Sequence, residues 1–123
     1  MLIALYFLLF STSSLDALVI DIAKPVKQYV LVEATAKQIL AINKEMLSDA
    51  ADFEKDTKNT KKQLAKLNGN RLASESEFDN AFAALDQKRA DARDKIVENR
   101  LKMKALMTAE EWSKVYAAEG PQK

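Results

Sequence analysis

The chain of 123 residues contains no cysteine and no histidine, and only two glycines and two prolines. Without cysteine there is no disulfide and no thiol chemistry, and redox usage says nothing about compartment. Without histidine the commonest metal ligand and the commonest general base are both missing. A di-iron bundle built on Glu-x-x-His pairs is excluded, and zinc loses both of its preferred ligands. The net charge is only +1. A dedicated nucleic-acid binder is normally strongly basic, so no nucleic-acid partner is expected. There is no glycine-rich phosphate loop and no nucleophile constellation. Acidic pairs such as Glu45/Asp49 and Asp91/Asp94 are interleaved with lysines and read as solvated helix faces. A non-enzymatic chain without cofactor or metal is expected.

What is present is helix. Charged residues make up 30% and apolar ones 48% of the chain, the profile of long helices. From Tyr29 through Ile39, Met46 and Phe53 to Leu67, apolar positions recur by threes and fours, and they do so again from Phe78 through Leu85 and Ile96 to Leu106. Between the two runs lies Asn68-Gly69-Asn70, with Gly69 suited to the left-handed conformation that ends a helix. The pattern predicts an all-α fold: a long antiparallel, coiled-coil-like helical hairpin. Its first helix is expected from Pro25 to Leu67, roughly 65 Å at 1.5 Å per residue. The second is expected to open at the capping box Ser74-Glu75-Ser76-Glu77 and to run to about Met107. Arg89 and Asn99 fall on its apolar seam, the first reaching for a flanking carboxylate and the second fixing register.

The N-terminus is different in kind. Leu2 to Phe10 is a nine-residue apolar run followed by Ser11-Thr12-Ser13-Ser14. That matches a secretory signal peptide better than a spanning helix, which needs about 20 apolar residues. Cleavage is expected after Ser14 or Ala17, leaving a signal peptide over 1–17, a hairpin domain over 18–118 and a disordered tail over 119–123. The rivals are an uncleaved inner-membrane anchor from Leu2 to Ala23 and a buried apolar segment. The anchor has to bury Asp16, at a cost of about 2.5–3.5 kcal/mol near a helix centre. Leu15, Leu18, Val19 and Ile22 form a further stripe at helical spacing, and Pro25 fits a first helical turn.

The far end of the hairpin is basic, with Lys55, Lys58, Lys61, Lys62, Lys66 and Arg71. Folding back brings Lys61, Lys62 and Lys66 towards Glu75, Glu77 and Asp79, so pairing between the arms is expected to use most of this charge. The remaining reading is a tip that meets a partner. Candidate partner contacts are Lys58, Lys61 and Lys62 together with Met46, Phe53, Phe78, Phe82 and Met103. The apolar five are the residues a buried seam also uses. Tyr29, Val30, Leu31, Val32, Ile39, Leu40 and Ile42, and likewise Ile96, Val97 and Leu101, exceed one stripe and call for cover, from the C-terminal helix and a second chain. A homodimer or a place in a larger helical assembly is expected.

Near the C-terminus, Thr108 and Glu111 form a second capping box, with Met107 and Trp112 as the hydrophobic staple around it. A short helix from Ala109 to about Ala118 follows, stopped by Gly120-Pro121. The stretch Leu106-Met107-Thr108-Ala109-Glu110-Glu111 after a basic amphipathic helix resembles the Leu-Thr-x-x-Gln motif of the Spy/CpxP-like periplasmic proteins. Glu111 stands where that motif has Gln, and Met107 where it has Leu. The resemblance covers residues 78–118. It implies an exported all-helical dimer that cradles unfolded clients or senses envelope stress. The expected function is therefore an exported helical binding protein, chaperone-like or a stress adaptor, in the periplasm. The alternative is a membrane-anchored structural coiled-coil subunit of a larger assembly.

Overall fold

The computed structural model describes residues 19–119. Both candidate cleavage sites, the apolar run and the tail from residue 120 lie outside them. Among the described residues there are four helices and no strand: α1 (Ala23–Tyr29), α2 (Glu33–Gly69), α3 (Glu75–Leu106) and α4 (Ala109–Glu119). Helices α2 and α3 pack against each other as the expected antiparallel hairpin, while α1 packs on α4 and on α2 at the base.

The α2 seam is the one the periodicity predicts. Its buried residues are Ala36, Ile39, Asn43, Met46, Ala50, Phe53 and Thr57, each three or four from the last. On α3 the buried set is Ala81, Leu85, Ala92, Ile96, Asn99 and Met103. Two contacts fix the level of the arms. Lys88 Nζ lies 3.5 Å from Asp56 Oδ1, and Asn99 Nδ2 donates to Glu45 Oε2 at 3.1 Å.

The structure corrects the first helix at both ends. It does not run unbroken from Pro25, because Val30 (φ −95°, ψ 101°) and Val32 (φ −77°, ψ 111°) are extended. Val30 and Val32 are β-branched and weaker helix formers than the leucine between them, and the break reorients the chain. Val30 turns inward at 3% exposure, whereas Leu31 and Val32 stay exposed. Pro25 sits in the first turn of the short helix that precedes the break, where its missing N–H costs nothing. At the other end Gly69 remains helical, with no left-handed backbone. The turn is built by Asn70 instead. Its side chain accepts from Leu72 N–H at 3.0 Å, and its carbonyl accepts from Ala73 N–H at 3.0 Å. An Asx turn of this kind substitutes side chain for backbone and needs no glycine.

The segment before α1 belongs to the core. Val19, Ile22 and Val26 are buried beside Val30. Asn43, itself 3% exposed, grips this segment by its backbone: Oδ1 accepts from Ile22 N–H at 3.2 Å, and Nδ2 donates to Ile20 O at 2.9 Å. Residues 19–22 are non-helical, and the rest of the Leu2–Ala23 stretch lies outside the described residues. Among the described residues no helix is long and apolar enough to cross a membrane.

The two capping boxes differ. Thr108 N–H donates to Glu111 Oε1 at 2.9 Å and Glu111 N–H donates to Thr108 Oγ1 at 3.0 Å, a complete reciprocal box. At α3 only one half forms: Glu77 N–H donates to Ser74 Oγ at 3.2 Å. The complete box turns α4 back so that Val115 is fully buried. Trp112 and Tyr116, their ring centroids 4.7 Å apart, pack at its edge.

Candidate functional site

The candidate contacts separate by burial. Met46, Phe53 and Met103 are 3%, 2% and 0% exposed and belong to the core. They are not surface contacts in this fold, because the two seams close on them. Phe78 and Phe82 are half-buried beside the turn, and Lys58, Lys61 and Lys62 are exposed. Thr108, Glu111 and Trp112 are structural at the base. The Arg100 guanidinium carbon stands 5.1 Å from the centroid of the Trp112 ring, near enough for a cation–π attraction.

The expected pairing of the tip lysines with α3 does not occur. Among the described residues Lys88–Asp56 is the one ion pair that joins the two arms. The reason is rotational. Lys55, Lys58, Lys62 and Lys66 step by three and four along the side of α2 that faces away from α3. Glu75, Glu77 and Asp79 are exposed on α3 and out of ion-pair reach. The tip is thus a basic surface on one arm and an acidic one on the other. Leu72, 87% exposed, stands between them at the turn. Sequence reasoning missed Leu72, whose one signal is that it is a large apolar residue on neither seam.

Midway along the hairpin a groove of about 220 Å³ is lined by Asp49, Asp52, Phe53, Asp56, Lys88, Asp91, Ala92 and Lys95. Burial raises the pKa of the Asp49 carboxyl; Lys95 opposes the shift, and Glu45 and Asp52 reinforce it. Asp49 Oδ2 has no hydrogen-bond partner. Arg89, the seam arginine, reaches its flanking carboxylate as anticipated: Nη2 lies 3.3 Å from Asp86 Oδ1, although its buried Nε is unpartnered. Burial also raises the Tyr116 hydroxyl pKa, with Arg100 opposing. Among the described residues no group of three or more Asp or Glu is placed to hold a metal ion.

No protein-family model matches this chain, and neither the curated proteins nor the solved structures give a match.

Proposed function

We propose that the chain is an exported, non-enzymatic helical binding protein, a chaperone-like holder or envelope-stress adaptor that takes protein partners at the tip of its hairpin. The observation that carries this reading is the tip itself. Among the described residues Lys58, Lys61, Lys62 and Lys66 have no ion-pair partner, and the exposed Leu72 lies beside them. Charge that the fold leaves unpaired next to exposed apolar surface attracts acidic, apolar segments. The resemblance of Met107–Glu111 to the Spy/CpxP-like motif supports the same reading, as does the apolar run of Leu2–Phe10. Val19 is the first of the described core residues, so removal of the first 14 or 17 residues leaves every described core residue in place.

The test is suppression of aggregation of an acidic unfolded client, followed by light scattering. The parent chain delays aggregation, and the triple variant Lys61→Glu/Lys62→Glu/Leu72→Ser loses the effect with unchanged helicity. Equal protection by both, or none by the parent, sinks the proposal. Intact mass after cell fractionation tests export separately, because a full-length cytoplasmic protein contradicts it. A second reading, an anchored structural subunit, is favoured by Val97 and Leu101, 45% and 57% exposed on the outer side of α3. Any anchor then lies before Val19.

A further inference from the structure

The hairpin buries one side of α2 and leaves the other bare. At about 100° of rotation per residue, the face within about 60° of Lys44 carries Lys37, Lys44, Lys55, Lys58, Lys62 and Lys66. All of these lysines are exposed. The one carboxylate on that face is Glu33, which is already paired with Lys37 at 3.5 Å. Among the described residues the other lysines of the face have no ion-pair partner. Glu45, Asp52 and Glu54 border the face, about 80–100° round the helix. Two of them are turned towards α3: Glu45 accepts from Asn99, and Asp52 lines the groove between the arms. From Thr57 to Ser74 the chain has no carboxylate at all.

The shape of this face selects its partner. From Lys37 to Lys66 it runs straight for roughly 44 Å. A standard protein–protein patch is roughly 30 Å across, so one globular partner covers only part of the row, whereas a flat surface reaches every lysine at once. Between the lysines stand the short, exposed side chains of Ala41, Ser48, Ala51 and Ala65. They let a plane approach the helix while the lysine stems lie over it. The face carries no arginine and no aromatic residue. It therefore lacks the bidentate fork that grips a single phosphate and the rings on which bases stack. Ammonium groups alone suit a diffuse layer of anionic headgroups. Exposed Leu31 and Val32 stand just before α2, and exposed Leu72 just beyond the turn. A bilayer accepts apolar side chains at the ends of a basic face, and a soluble polyanion does not. The acidic start of α3, with Glu75, Glu77 and Asp79, belongs to the other arm. A helix diameter of about 10 Å exceeds the screening length of about 8 Å at physiological ionic strength, so these carboxylates do little to repel a surface that touches α2.

We propose that α2 lies with its lysine face flat against an anionic phospholipid bilayer, the ammonium groups level with the headgroups and α3 held off the surface. Each lysine near such a surface contributes about fivefold in affinity, and the attraction weakens as salt rises. Lys58, Lys62 and Lys66 are shared with the client-binding tip, but Lys44 and Lys55 are not, and they separate the two roles.

The experiment is flotation of the full chain with vesicles of phosphatidylglycerol and phosphatidylcholine in equal parts, and with vesicles of phosphatidylcholine alone, in low and high salt. The parent binds the anionic vesicles more tightly than the neutral ones, and salt closes the gap. Lys44→Gln/Lys55→Gln keeps its helicity and binds the anionic vesicles roughly 25-fold more weakly. It still delays client aggregation, because Lys61, Lys62 and Leu72 are intact, so the lipid face and the client tip hold or fail independently. Lys102→Gln/Lys104→Gln removes the same charge from exposed positions on α3 and binds as the parent does. Equal loss in the two double variants overturns the proposal, because net charge and not the α2 face is then what binds. So does a parent with no preference for the anionic vesicles, and so does one that binds an acidic protein or duplex DNA in solution while ignoring them.

Discussion

The base of the hairpin and its tip are made of the same two helices, but only one of them is held by tertiary packing. At the base four segments converge, and Ile22, Val26, Ile39, Met103 and Val115 are each 0% exposed. A large apolar side chain buried in this way contributes about 1.5–3 kcal/mol. Beyond Thr57 on α2 and before Ala81 on α3 no residue is buried. There the helices rest on their own hydrogen bonds, on half-buried Leu64, Leu67, Phe78 and Phe82, and on the Asn70 turn. Surfaces that exchange partners are drawn from the low-stability end of a fold. The contrast is the physical reason for assigning binding to the tip and integrity to the base.

The largest effect that tests this contrast is Ile39→Ala, which opens a cavity in the base and is expected to cost about 2–5 kcal/mol. Leu64→Ala on the same helix at the tip is expected to cost less than about 1 kcal/mol, since much of Leu64 stays in water. Thermal unfolding followed by circular dichroism compares them, and equal losses would erase the distinction. Next in size is Asn43→Ala. It strands Ile22 N–H and Ile20 C=O where both are otherwise satisfied, at a cost of about 1–3 kcal/mol. Hydrogen exchange locates the damage: the Ile22 amide loses protection while amides of the α3 seam follow the global change. Uniform loss along the chain would mean that the Asn43 grip is not a local fastening.

How much of this was legible in the sequence depended on whether the signal was periodic. All seven buried residues of α2 lie on the seam that the three-and-four spacing picks out, because a helix buries what its period aligns. The Thr108–Glu111 box was equally readable, since its bonds join residues three apart. Three features were not. The break at Val30–Val32 depends on what α1 packs against, which helix periodicity does not encode. The inward turn of Asn43 depends on the backbone of a segment more than 20 positions away. The tip lysines were expected to pair across the arms, and which way they face is set by helix rotation, to which charge order along the chain is blind.

A smaller effect sharpens the comparison at the turn. Gly69 is helical and has no left-handed backbone, and a side-chain carbon added to it would meet nothing within 4 Å. Gly69→Ala is therefore expected to stabilise the chain by about 0.4–1 kcal/mol, chiefly by restricting the unfolded state. A loss on thermal unfolding would show that the tip needs glycine's freedom, and that the Asn70 turn does not make the reversal by itself.

The smallest effect lies between the two regions, at Asp49. Its carboxyl pKa is raised in the fold, burial being the largest cause, and Oδ2 lacks a hydrogen-bond partner. A carboxyl with a raised folded pKa holds its proton more tightly folded than unfolded. Its charge therefore opposes folding above the folded pKa, and this opposition vanishes once pH falls below the unfolded value of about 3.9. Asp49→Asn is expected to raise the melting temperature slightly near neutral pH, by the equivalent of a few tenths of a kcal/mol because the site is partly solvated. The difference from the parent should shrink to nothing in acid. Comparing parent with variant at each pH cancels the titration of the other carboxylates. A variant less stable at neutral pH would show instead that attraction to Lys95 outweighs burial, and that the groove is an electrostatic brace of the hairpin.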